Sequence, residues 1–83
     1  MIGSFDLTAH AHDMLEERNI SEDWVERILL SPAQIEHRTD GTDHYLGQIA
    51  EHGNRVLRVV VNPQHHPARI VTVFFDRRLG RKL

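Results

Sequence analysis

The sequence contains no cysteine, which excludes a disulfide framework, a thiolate nucleophile and a cysteine-type zinc site. It has no hydrophobic run near the roughly 18 residues that a membrane-spanning helix requires. We therefore predict a soluble, cytoplasmic protein with no membrane partner. The sequence also lacks a glycine-rich phosphate loop, a nucleophile-elbow motif and the aromatic motif of RNA-binding platforms. These absences remove several enzyme classes without naming a function.

The 83 residues suffice for one compact domain, and the shares of hydrophobic (40%) and charged (27%) residues are those of an ordinary globular protein. The charges are unevenly distributed along the chain. Residues 1–51 hold eleven of the twelve acids and three cations, whereas residues 52–83 hold seven cations and one acid. This asymmetry favours either an anionic partner on the second half or self-association between the two halves.

Two helices are predicted at the start of the chain. The segment from Leu7 to Arg18 has a helical apolar stripe, and Thr8 can serve as its N-cap. Ser21 can cap a second helix that ends at Ser31-Pro32, and Ile20 is placed as a hydrophobic staple. The chain is therefore expected to open with a helical hairpin.

Four strands are predicted after this hairpin, separated by short turns: residues 34–38, 44–51, 55–61 and 70–75. Sequential strands with short connections predict an antiparallel sheet. The expected fold class is α+β, a helical hairpin packed on a four-stranded antiparallel sheet in the order ααββββ. We predict one domain over residues 5–76 and a basic tail over residues 77–83. Two helices cover one sheet face, so the other face is a candidate surface for a partner or a second copy.

Several segments resemble a bacterial family of short proteins of unknown function. The shared pattern has a His-Ala pair, a Glu-Arg-Gly-Ile-Ser block and a Val-Thr-Val strand followed by an aromatic residue. In this chain the pattern corresponds to Thr8-Ala9-His10-Ala11, Leu15-Glu16-Glu17-Arg18-Asn19-Ile20-Ser21, Trp24-Val25 and Ile70-Val71-Thr72-Val73-Phe74. The resemblance spans about His10 to Phe75.

That family is generally grouped with the RelE and ParE toxins, in the wider fold of barnase-like and colicin-like ribonucleases. The resemblance implies a RelE-like fold, an RNA or ribosome target and an antitoxin partner. This chain departs from the pattern at two positions. Met14 stands where the family usually has Arg, which weakens the ribonuclease hypothesis and favours a non-catalytic domain, and Asn19 stands where it usually has Gly. The second change is mild because Asn tolerates the left-handed backbone conformation.

His10 is the first candidate catalytic residue, because cleavage of RNA by its 2′-hydroxyl needs a group that accepts or donates a proton near neutral pH. Arg18 and Arg58 are candidate phosphate ligands beside it, and Thr72 supplies a hydroxyl. Each has a structural alternative: a histidine at the helix edge, a helix-terminal cation, a paired strand arginine and a strand-forming threonine. The candidate RNA-binding residues lie in the tail: Arg77, Arg78, Arg81 and Lys82.

No metal site and no cofactor are predicted. His10 and His12 would point about 200° apart on a helix and cannot chelate one ion together. The His65-His66 pair has no third ligand nearby in the sequence. The leading hypothesis is a metal-independent ribonuclease or translation-targeting toxin module. The alternative hypothesis is a non-catalytic interaction domain that forms a homodimer or binds a peptide through its sheet.

Overall fold

The computed structural model of the protein describes residues 4–83. A short 3-10 turn, Ala50–His52, joins the third and fourth strands. The helices and strands are β1 (Phe5–Leu7), α1 (Ala9–Glu17), α2 (Glu22–Leu30), β2 (Gln34–His37), β3 (Asp43–Ile49), β4 (Arg55–Asn62) and β5 (Ala68–Phe75). Within residues 4–83, no helix has the length and apolar character needed to cross a membrane.

The two helix starts are set by the predicted capping residues. The Thr8 hydroxyl accepts a hydrogen bond from the backbone N–H of Ala11 at 3.0 Å, and the Ser21 hydroxyl accepts one from Asp23 at 3.1 Å. Between the helices, Asn19 adopts a left-handed conformation with φ of 53°. This conformation turns the chain sharply after α1, so α2 follows within a few residues.

The predicted four-stranded antiparallel sheet is wrong. The sheet has five strands in the order β1-β5-β4-β3-β2, and it is mixed because β1 pairs with β5 in parallel. The element order is therefore βααββββ. The remaining pairs, β2 with β3, β3 with β4 and β4 with β5, are antiparallel.

The first strand escapes prediction because it is only three residues long and has no alternating pattern of its own. Phe5 pairs with Ala68 and Leu7 with Ile70, across more than 60 residues of chain. The sequence predicts a helix that starts at Leu7, but the backbone stays extended through Leu7 and donates from Thr8 to the carbonyl of Ile70 at 3.1 Å. A long-range pairing of this kind leaves no local signal.

The hydrophobic core lies between the two helices and one face of the sheet. Alternate residues of β4, namely Leu57, Val59 and Val61, belong to this core. The residues between them point to the opposite face, as the period of two requires. On that face, Val56 is fully buried and Val60 is 7% exposed. These two valines therefore do not form an exposed apolar patch.

The C-terminal residues after β5 form turns that pack against the start of β4. The Val56 N–H donates to the Gly80 carbonyl at 3.0 Å, and the Arg81 Nε donates to the Gly53 carbonyl at 2.6 Å. The side-chain amide of Gln48 donates to the Arg81 carbonyl. The basic tail is thereby held at one end of the sheet, where β5 ends and β4 begins.

Candidate functional site

A cleft lies at the end of the sheet where β5 stops, and its volume is about 610 Å³. We call it the arginine cleft. Three parts of the chain supply its walls: the end of α1, the segment from the 3-10 turn to the start of β4, and the end of β5 with the following tail. The lining residues are Arg18, His52, Arg55, Thr72, Phe74, Phe75, Asp76, Arg77 and Arg78.

Strand register explains why distant arginines converge here. Leu57 pairs with Phe75 in the antiparallel β4–β5 ladder, so the first residue of β4, Arg55, lies beside the residues that follow β5. Arg18 follows α1 and its Nη1 donates to the Val73 carbonyl at 3.2 Å. This bond fixes Arg18 next to the cleft while leaving other guanidinium donors unused.

The charge in the cleft is strongly positive, because four arginines face one carboxylate, that of Asp76. Asp76 is already paired with Arg58, whose Nε and Nη2 both lie 2.9 Å from Oδ2. Among residues 4–83, Arg55 and Arg77 have no carboxylate within ion-pair distance. The cleft therefore has cationic capacity that the protein itself does not neutralise.

His10 does not line the arginine cleft but contacts a residue that does. Its Nε2 atom is 3.2 Å from Oγ1 of Thr72, a cleft residue. A bulge in the β4–β5 ladder lies next to this contact: Val60 pairs with Thr72 but Val61 pairs with Ile70, so one residue of β5 is skipped. The bulge turns Thr72 to the face opposite the core residue Ile70. The first turn of α1, which follows the end of β1, then brings His10 alongside.

Arg58 does not line the cleft, although the sequence predicts it beside His10. Its side chain is almost completely buried on the sheet face away from the helices. Besides Asp76, its Nη1 donates to Glu36 Oε1 and to His44 Nδ1, both at 2.9 Å. Arg58 thus contributes indirectly. It holds the Asp76 carboxylate in place, and Asp76 in turn holds the turn that carries Arg77 and Arg78.

This buried network shifts three pKa values. The hydrogen bond from Arg58 lowers the pKa of Glu36 below its ordinary value. Burial acts to raise the pKa of Asp76, but bonds from Arg58 and Arg78 outweigh it and the pKa is lowered. Burial, followed by the positive charge of Arg58, lowers the pKa of His44. Because Arg58 donates to Nδ1, His44 is held as a neutral imidazole with its proton on Nε2.

The predicted RNA-binding residues of the tail divide into two groups. Arg77 and Arg78 line the arginine cleft. Arg81 lines an adjoining cavity of about 450 Å³, which shares Arg55 and Arg77 with the cleft. Lys82 is exposed and lines neither cavity. The two cavities form one continuous basic surface.

Two cleft residues, Arg55 and His52, are not among the candidates predicted from the sequence. Arg55 follows the Gly53-Asn54 turn, and its position beside β5 depends on pairing register, which local patterns do not reveal. His52 stacks on Phe75, with ring centroids 4.2 Å apart and planes 17° from parallel. The turn signal at Gly53-Asn54 is the only local sign that the residues flanking it lie at a sheet end.

Across residues 4–83, no three histidine or carboxylate side chains lie close enough to share an ion. The chemistry that the cleft offers comes from guanidinium cations, an imidazole and a hydroxyl.

Comparison with known proteins identifies the family of this chain. No curated protein and no solved structure matches the chain. One family model, described as a domain of unknown function (DUF4258), matches residues 7–75, which include β1 to β5 except the first two residues of β1. The chain therefore belongs to the DUF4258 family.

Proposed function

We propose that this protein binds RNA in the arginine cleft and acts as a toxin-type ribonuclease module. The observation that carries the proposal is the convergence of Arg18, Arg55, Arg77 and Arg78 on one cleft, together with the contact of His10 with the cleft residue Thr72. Arginine suits phosphate because its planar guanidinium donates two parallel hydrogen bonds. Consecutive phosphates of an RNA strand would neutralise the unpaired cations of the cleft.

The proposed reaction needs no metal. The 2′-oxygen attacks phosphorus, a bond forms between them, and the bond from phosphorus to the 5′-oxygen breaks. The products are a 2′,3′-cyclic phosphate and a free 5′-hydroxyl. His10 serves as the base that takes the 2′-hydroxyl proton or as the acid that protonates the leaving oxygen, and water carries out the complementary transfer. Arg18 and Arg77 offset the charge that develops on the phosphate.

The resemblance to the RelE and ParE toxins extends this proposal to partners. It favours a target in messenger RNA or on the ribosome, an antitoxin protein that blocks the cleft, and a cytoplasmic location. An acidic antitoxin segment would compete with RNA for the same arginines, since both are anionic.

The test is an RNA-cleavage assay on the purified wild type and on His10→Ala. We expect the wild type to cleave single-stranded RNA and the variant to lose at least about a hundred-fold in rate, the lower range for general acid–base catalysis, while RNA affinity is kept. His12→Ala is the matched control, because His12 lies on the same helix but pairs with Glu16. Absence of cleavage by the wild type would refute the proposed ribonuclease activity. Unchanged cleavage by His10→Ala would show that His10 takes no part in the mechanism.

A non-catalytic interaction domain is the second candidate. One observation favours it: β2 is an edge strand with no outer neighbour among residues 4–83, and its Ile35 side chain is 37% exposed. Such an edge can pair with another strand. Light scattering separates the two candidates. A dimer that persists in high salt and ignores RNA supports the interaction domain, whereas salt-sensitive RNA binding supports the ribonuclease.

A further inference from the structure

Two of the rings in this molecule's largest aromatic group, His52 and Phe75, line the arginine cleft, whereas Trp24 packs against them from outside its lining. His52 stacks on Phe75, and Trp24 contacts both rings: its centroid lies 6.1 Å from Phe75 in an edge-to-face arrangement and 5.9 Å from His52. These three side chains come from α2, the 3-10 turn and the last residue of β5. We call them the aromatic stack.

The aromatic stack is anchored on one side and open on the other. Trp24 and Phe75 are half-buried and pack against the hydrophobic core. His52 is exposed, and the turn that holds it is fixed by Gly53, whose φ of 65° ends the 3-10 helix. The Gly53 carbonyl is in turn held by Arg81. The imidazole is thus a firmly supported ring that is accessible to solvent at the cleft.

We propose that His52 is a stacking platform for an unpaired nucleobase, so that the ligand of the arginine cleft is single-stranded RNA. This inference rests on the proposed RNA-binding function. Bases in single strands stack on aromatic and histidine rings while cationic side chains follow the phosphates. Both features are present here: His52 lies in the same cleft as Arg18, Arg55 and Arg77.

The arrangement disfavours a duplex. Bases in a double helix are stacked on each other and their faces are not available to a protein ring, so only phosphates and groove edges remain. A ligand that engages the arginines and His52 together must therefore have at least one base outside a helix. No particular base is selected, because every base has a π face.

The experiment measures binding of three ligands of equal length by fluorescence anisotropy: a single-stranded RNA, the same ribose-phosphate chain without bases, and a blunt RNA duplex. The variants are His52→Ala, which removes the ring, and His52→Phe, which keeps a stacking surface. His66→Ala is the control, since His66 is exposed in the loop before β5. Thermal unfolding verifies that all variants are folded.

We expect the wild type to bind the single strand between about five-fold and a hundred-fold more tightly than the abasic chain, the range for stacking of one base. His52→Ala should remove this difference in affinity without weakening binding of the abasic chain. His52→Phe should retain the difference. Equal affinities for RNA and abasic chain, a preference for the duplex, or an unaltered difference in His52→Ala would overturn the inference while leaving phosphate binding intact. Failure of both chains to bind would instead refute the proposed function.

Discussion

Arg58 and Asp76 form a buried ion pair at the arginine cleft, which Asp76 lines and Arg58 does not. Two guanidinium nitrogens of Arg58 contact the same oxygen of Asp76 at 2.9 Å, and the side chains are only 4% and 2% exposed. The second oxygen of Asp76 accepts the backbone N–H of Arg78 at 3.0 Å. One carboxylate therefore links the sheet to the turn that carries two cleft arginines.

Replacing Asp76 by Ala should strongly destabilise the fold, because it leaves the Arg58 charge buried without its main partner. Loss of one member of a buried pair costs about 3–5 kcal/mol, measured as the free energy of unfolding in urea. Arg27→Ala is the control, since it breaks a two-bond pair with Glu51 at the surface. The control should leave the urea midpoint nearly unchanged. Equal losses in the two variants would show that burial of the Arg58 pair is not decisive.

Stability should fall as the pH drops below about 6.5, the ordinary pKa of His44. The folded protein lowers the pKa of His44, so the unfolded state binds more protons in this window and is favoured by acid. Glu36 and Asp76 also make the folded protein less stable in acid, because folding lowers their pKa values. Their effect sets in at lower pH, below their ordinary pKa values of 4.5 and 3.8.

His44→Asn isolates the histidine contribution. The Asn oxygen can accept the hydrogen bond from Arg58 but does not titrate. Urea unfolding of the wild type and the variant between pH 7.5 and 5.5 should give a shallower pH slope for the variant. The carboxylate-dependent loss at more acidic pH should be common to both. Parallel slopes across the upper window would contradict the assignment to His44.

A methyl group at Gly47 should destabilise the fold. Gly47 is buried in β3, and a Cβ atom there would collide with Cδ1 of Ile28 on α2. Gly47→Ala should cost about 1–3 kcal/mol of unfolding free energy as an overpacked site. In an Ile28→Val background, where Cδ1 is absent, the same substitution should cost roughly 1 kcal/mol less. An identical loss of unfolding free energy in both backgrounds would mean that Ile28 of α2 is not the group that clashes with a methyl group at Gly47.

Removing two unpaired cleft arginines should reduce the salt dependence of RNA binding. For single strands, the slope of log affinity against log salt has a magnitude of roughly 0.7 for each phosphate that the protein neutralises. Arg55→Ala with Arg77→Ala should therefore make the slope shallower by roughly 1.4. Arg27→Ala with Arg38→Ala removes the same charge from exposed positions outside the cleft. If both pairs change the slope equally, binding follows net charge and not the cleft.

Much of the fold could be predicted from local patterns. The caps at Thr8 and Ser21 and the left-handed turn at Asn19 are encoded by side-chain chemistry within a few residues, and they are confirmed. The ends of the four longer strands agree with the prediction to within about two residues, because turn residues mark them. The parallel strand β1 escapes prediction because its only cause is pairing with β5.

Some residues of the candidate site could also be predicted from the sequence, whereas others depend on long-range pairing. His10 and Thr72 are candidates for their chemistry, and the structure brings them into contact across 62 residues of chain, which no local pattern marks. Arg58 stands out as an unusual cation in an apolar strand, but its acceptors, Glu36 and Asp76, lie on other segments. Arg55 can be assigned to the cleft only once the β4–β5 register is known. The catalytic and RNA-binding roles stay predictions.

The most direct measurement is an NMR titration of the isotope-labelled protein with a short single-stranded RNA, following backbone amides and arginine Nε–Hε signals. We expect saturable shifts at the cleft residues Arg18, Arg55, Thr72 and Arg77, with Arg27 and Arg38 unaffected. Shifts confined to the β2 edge, or spread evenly over all arginines, would contradict a specific RNA site in the arginine cleft.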